Sequence, residues 1–203
     1  MKKGAEKDVN RELRFLDSFR FMPSSLDKLS KNQQINHFIN LKKYFVDEKK
    51  FNLVHRKGVF PYDYVDGLEN LKEEKLPPKQ AFYSRFNDEN ISDEDYSHAK
   101  TVWKEFVMST FRDYLELYNM SDVLILADIF KNCRNVGASN YDLDFTWYCT
   151  SPELAWDAML KITEVELELR IDPHMLLIIE KGIRGGICTI SHRYGEANNP
   201  YMG

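Results

Sequence analysis

The sequence predicts an α+β chain dominated by helices, and three observations carry that prediction. Apolar residues recur at three- and four-residue steps through the stretch from about residue 92 to 133. Two later segments, "SPELAWDAMLKI" and "DPHMLLIIEKGI", open on paired helix-start residues, Ser151 with Pro152 and Asp172 with Pro173. Only two short stretches, Leu13 to Met22 and "RGGICTISHRY", read as strands.

Taken in order, "LRFLDSFRFM" has the aromatic alternation of a strand and is closed by Pro23 and the helix-capping pair Ser24 and Ser25, after which a short helix is expected. Residues about 33 to 46 predict a second helix. From about Phe51 to Pro78, Gly58, Pro61, Gly67, Pro77 and Pro78 among several tyrosines predict an extended, irregular excursion over the surface. A loop of that length is generally functional or flexible. Ser92 and Asp95 open a helix whose Tyr96, Ala99, Trp103 and Phe106 share a side. Thr110, with Asp113 three residues on, opens the next, over about 111 to 133. The Pro173 helix should stop near Gly182, and a glycine turn then leads into the last strand.

With 203 residues, 43% hydrophobic and 13% aromatic, the chain can bury a core and is not of disordered composition. Its formal charge of −4 does not advertise a nucleic-acid binder but allows one with locally clustered basic residues. Lys42, Lys43, Lys49, Lys50, Arg56 and Lys57 form such a cluster, whose spacing is equally that of a solvated surface. Cys133, Cys149 and Cys188 show neither CxxC nor zinc spacing, and the five histidines show no ligand spacing. The charged N-terminus lacks the apolar core of a signal peptide and no run reaches membrane-spanning length, so a soluble, intracellular protein without membrane partners is expected.

One carboxylate stands out. Asp122 falls on the apolar stripe of Phe111, Leu115, Tyr118, Ile125 and Ile129, where a charge costs several kcal/mol unless a cation, a metal or several donors compensate it. Either it faces the core and has a partner, or it sits at the stripe's edge in solvent. Tyr118 projects from the same face one turn earlier. A phenol beside a carboxylate suits a site where a divalent metal activates a water that the tyrosine orients.

Four sites together resemble the protein-primed branch of the family-B DNA polymerases, of bacteriophages, linear plasmids and virus-like transposons. Tyr118-Asn-Met-Ser-Asp122 is similar to the third exonuclease motif, Y-x-x-x-D, which implies Asp122 as a metal ligand and Tyr118 as the group positioning the attacking water. "KGVFPY" resembles the K-x-x-h motif, which makes Lys57 a contact of the scissile phosphate and puts Tyr62 near the bound 3' end. "DSFRFM" is similar to the S/T-L-x-x-h motif, with phenylalanine in place of leucine, and implies that Ser18 and Phe19 hold the frayed primer strand. Ile183-Arg184-Gly185-Gly186 resembles the Y-x-G-G connector, with isoleucine in place of tyrosine, so that Arg184, Gly185 and Gly186 would contact the primer-template backbone.

The resemblance implies the end of an RNase-H-like 3'-5' exonuclease domain over residues 1–136, then a mainly helical connector and the entry to the polymerase palm over 137–203. It also implies DNA as partner, a terminal protein as possible primer, and Mg²⁺ or Mn²⁺ as cofactor of the complete enzyme. The D-x-E strand and second aspartate motif upstream, and the D-x-x-S-L-Y, K-x-x-x-N-S-x-Y-G and D-T-D segments downstream, do not occur. The expectation is therefore a fragment of a polymerase, inactive alone and without a stably bound metal. The other reading is a decayed or co-opted module that keeps at most weak single-stranded DNA binding.

Overall fold

The computed structural model describes residues 13–168, 171–183 and 185, and forms two compact units that divide between Thr163 and Glu164. Helices dominate the described residues of both. In the first unit they are α1 (Leu26–Asn32), α2 (Ile39–Tyr44), α3 (Glu48–Val54), α4 (Asp93–Glu105), α5 (Phe111–Tyr141) and α6 (Ser151–Thr163). The second contains α7 (Pro173–Gly182). Among the described residues the β pairing is a single antiparallel bridge between Ser84 and Glu89.

Local chemistry sets most of the expected boundaries. The Ser25 hydroxyl accepts from Lys28 N to start α1, Ser92 accepts from Asp95 N to start α4, and Asp172 accepts from His174 N to start α7 with Pro173 behind it. Asp113 accepts from the Ser109 and Thr110 amides at the head of α5, and these bonds lower its pKa. At α6 the device differs by one residue. The helix begins at Ser151 itself, whose hydroxyl donates to the carbonyls of Arg20 and Phe21 and so staples the N-terminal segment to the helix.

The strand expected over Leu13 to Met22 is not formed. Ser18–Arg20 make a 3₁₀ turn, because the Asp17 carboxylate accepts from Phe19 N and the amides of Arg20 and Phe21 fold back on the carbonyls of Asp17 and Ser18. The aromatic alternation here reflects anchoring, since Phe21 packs on Phe130 and Phe145. The other expected strand lies outside the described residues apart from Gly185. The single helix expected over about 33 to 46 is split into a 3₁₀ turn, Ile35–His37, and α2, which starts without any capping side chain of its own.

What starts α2 comes from elsewhere. Asp128, on α5 and only 1% exposed, accepts from the Asn40 amide and side chain through Oδ1 and from the Leu41 amide through Oδ2, all within 2.9 Å. A carboxylate from one helix thus caps the N-terminus of another, and three donors compensate the buried charge. Around it Phe38, Leu41, Phe45, Phe51, Ile125 and Ile129 form one apolar core. A second core joins α4 and α5 through Ala99, Val102, Phe111 and Tyr114.

Helix α5 runs 31 residues, past the end expected near 133, and is about 46 Å long at 1.5 Å per residue. Gly137 lies inside it because the Phe145 ring is seated there. A Cβ at Gly137 would come within 2.4 Å of that ring. Alanine normally gains about 1 kcal/mol over glycine within a helix. Gly137→Ala should nonetheless destabilise the protein, by about 1–3 kcal/mol through overpacking. An unchanged or raised midpoint in urea denaturation would show that Phe145 moves aside freely.

Cys133 and Cys149 are free thiols. No helix among the described residues is long and apolar enough to cross a membrane.

Candidate functional site

The segment from His55 to Pro78 leaves α3 and lies across α4 and α5 as a fastened strap. Pro61 and Pro77 are fully buried in it. The Tyr114 hydroxyl donates to Val59 O at 2.7 Å, Phe111 N donates to Glu73 O at 2.7 Å, and Tyr96 donates to Pro77 O at 3.1 Å. Phe60 stacks on Phe111, with ring centroids 5.4 Å apart, and leans on Tyr118 at 5.2 Å. The expected surface excursion is therefore irregular in backbone but part of the second core.

This fastening sets Lys57 over the face of α5 that carries Tyr118 and Asp122. Lys57 Nζ donates to the Tyr118 hydroxyl at 2.8 Å and to Asp122 Oδ2 at 2.7 Å, and lies 5.0 Å from the centre of the Tyr118 ring. The Tyr62 hydroxyl is 2.7 Å from that of Tyr118 while most of its side chain stays exposed. Gly58 makes the approach possible, since a Cβ there would press on the Tyr118 ring at 3.3 Å. Burial, and then the hydrogen bond with Tyr62, push the Tyr118 pKa well above the usual phenol range, so its hydroxyl keeps its proton at any working pH.

Both sequence alternatives for Asp122 hold in part. Ser121 occupies the middle of the buried stripe and Asp122 its edge, with a side chain 20% exposed, yet it has the partner that its position demanded. The compensating cation is an ammonium from 65 residues earlier. Oδ2 is engaged, whereas Oδ1 is buried without a hydrogen-bond partner among the described residues. A buried carboxylate oxygen with a free lone pair fits one ligand position of a divalent cation. Among the described residues no three His, Cys, Asp or Glu side chains gather as a metal-binding group, so Asp122 fits as a contributor rather than a complete site.

Lys57, Tyr62, Tyr118 and Asp122 are thus brought together. Ser18 and Phe19 belong to the turn anchored near Phe130, about 12 Å further along α5 than Asp122. Phe19 is 59% exposed there. Gly185 is exposed with open space around it, and Arg184 and Gly186 lie outside the described residues.

In the sequence Gly58 counted only as a loop residue and Arg56 only as a member of the basic cluster. Arg56 forms an ion pair with Asp95, which Ser92 also bonds, and this pair ties the start of the strap to α4. Beside it, burial and then the Arg56 charge lower the pKa of His98.

The profile of DNA polymerase type B, organellar and viral, matches residues 3–202. A probable DNA polymerase of Podospora anserina is 24% identical over 187 residues, covering 91% of this chain and 14% of its own length. No solved structure matches the chain. A match across nearly every residue places the chain in a family: it belongs to the organellar and viral type B DNA polymerases.

Proposed function

We propose that the chain is the part of a DNA-directed DNA polymerase that ends its 3'-5' proofreading exonuclease and leads into synthesis. Residues 1–136 form the helical remainder of an RNase-H-like exonuclease domain, and residues 137–203 the connector and entry to the palm. The polymerase is of the protein-primed type, replicates a virus-like mobile element, and takes a terminal protein as primer. The observation that carries the reading is the convergence of Lys57, Tyr118 and Asp122, at 2.7–2.8 Å, from residues that matched two separate exonuclease motifs.

Each residue then has a task. Lys57 binds the scissile phosphate and neutralises charge that builds on it as the bond breaks. Tyr118, neutral throughout, donates to or accepts from the attacking water and holds it in line. Tyr62, largely exposed beside Tyr118, stacks on the terminal base. Asp122 would hold a divalent cation through the free Oδ1, jointly with carboxylates from the rest of the polymerase. When bound, Mg²⁺ or Mn²⁺ would supply a water of lowered pKa as the nucleophile. Ser18 and Phe19 receive the frayed strand, and Arg184, Gly185 and Gly186 grip the primer-template between the two activities.

The test uses the chain restored to a full polymerase. Lys57→Ala should slow exonucleolysis by about 10²-fold, the scale of losing one electrostatic stabiliser, while synthesis is nearly unchanged. A loss below about threefold would leave Lys57 a structural partner of Asp122 and sink the assignment.

A further inference from the structure

A second group of nitrogens points to a ligand away from the Lys57 cluster. Four buried side-chain atoms lack a hydrogen-bond partner among the described residues. One is Asp122 Oδ1, and the other three are Gln33 Nε2, His55 Nδ1 and Arg56 Nε. Those three residues all line one cavity of about 280 Å³, with Lys31 and Ile35 at its edge. A buried polar atom left unpaired is costly, so three around a single cavity call for a partner, and of the three the Gln33 amide and Arg56 guanidinium nitrogens can only donate.

The neighbours hold each nitrogen in place. Gln33 Oε1 accepts from Asn132 at 3.1 Å, which fixes the amide and leaves Nε2 as its unpaired end. Arg56 gives its Nη2 to Asp95 and keeps Nε–H unspent. The His55 ring is stacked on Phe51, with centroids 5.7 Å apart, and meets the edge of Phe38 at 6.3 Å. Asp27 and Asp95 pair with Lys31 and Arg56, but no carboxylate lines the cavity. With Gln33 Nε2 and Arg56 Nε able only to donate, Lys31 in the lining and no carboxylate there, the cavity favours an anion whose oxygens accept, as those of a phosphate do. The volume lies just under the roughly 300–1,000 Å³ of small-molecule sites and suits one nucleotide, with the exposed Ile35 side chain as an apolar rest for the base.

We propose that this cavity binds the phosphate of a single nucleotide through Gln33, His55 and Arg56, as an anion site beside the Lys57 cluster. His55 and Arg56 directly precede Lys57, so a strand lying on Lys57 passes close by. The phosphate belongs either to such a strand or to a released nucleoside 5'-monophosphate, and the inference takes its ligand class from the function proposed above.

The experiment titrates the isotope-labelled chain with dTMP, thymidine and a short oligothymidylate while following the side-chain N–H signals of Gln33 and Arg56 by NMR. dTMP should shift both and thymidine neither. Gln33→Glu keeps the acceptor for Asn132 but sets a charge against the phosphate, and should weaken dTMP binding by about tenfold or more. The source follows from whichever of dTMP and oligothymidylate acts at the lower concentration. If dTMP shifts these signals while no oligonucleotide binds, the cavity stands and the strand-binding reading falls. If the oligonucleotide binds but neither signal moves with either phosphate-bearing probe, the cavity proposal is overturned and the strand-binding reading stands. Should Gln33→Glu fail to fold, the contrast between dTMP and thymidine on the unaltered chain decides alone.

Discussion

Asp128→Ala is expected to destabilise the protein by about 2–4 kcal/mol, a large share of the stability of an ordinary domain. The carboxylate accepts three N–H bonds at the head of α2, and alanine leaves the buried Leu41 amide and the half-buried amide and side chain of Asn40 without that acceptor. Because α2 has no capping side chain of its own, the loss falls on its first turn and on Phe38 and Leu41, both fully buried beside it. Asp128→Asn should cost less, about 1–3 kcal/mol, since one oxygen still accepts while the amide NH₂ opposes a donor. Urea denaturation followed by circular dichroism reads both. An alanine variant within about 1 kcal/mol of the parent would mean that the three donors find other partners.

The second large effect is on activity. In a full polymerase, Asp122→Ala should abolish 3'-5' exonuclease activity and leave DNA synthesis in place, because the helix survives while the cation loses an oxygen ligand. Tyr118→Phe preserves the ring packing against Phe60 and removes only the hydroxyl shared with Lys57 and Tyr62. Its expected loss is about 10²-fold to 10⁴-fold, the range for a group that orients or transfers a proton. Single-turnover degradation of a 3'-labelled primer separates these effects from binding. Wild-type rates in Tyr118→Phe would show that the hydroxyl serves structure alone. For stability, Asp122→Ala now carries a different expectation from that of a bare carboxylate on an apolar stripe. It strands the Lys57 ammonium, so the melting temperature should fall rather than rise.

The helices were legible where a local device writes them. Ser25, Ser92 and Asp172 each cap the helix that they precede, Asp113 caps α5 from within its first turn, and these side chains act within four residues. Two features were not legible. The turn at Ser18–Arg20 has the composition of a strand, but strand formation needs a partner, and aromatic residues anchor a turn equally well. The start of α2 depends on a residue 88 positions away, which no local pattern can announce. The site divides the same way. Tyr118 and Asp122 were readable as a pair on one helix face, whereas their meeting with Lys57 depends on how the strap folds back. The free nitrogens of Gln33, His55 and Arg56 emerge only once the packing is known.

The strap and α5 also differ in how the polypeptide would release them. The middle of α5 is enclosed by both cores, so its amides should exchange with solvent deuterium only on global unfolding. The strap is held to it by a few hydrogen bonds and ring contacts and lacks regular backbone pairing, so its amides should exchange through smaller, local openings. Tyr118 and Asp122 therefore stay on the slowest-exchanging segment while Lys57 and Tyr62 ride on a faster one. The cluster can come apart and reassemble many times within the lifetime of a single folded molecule.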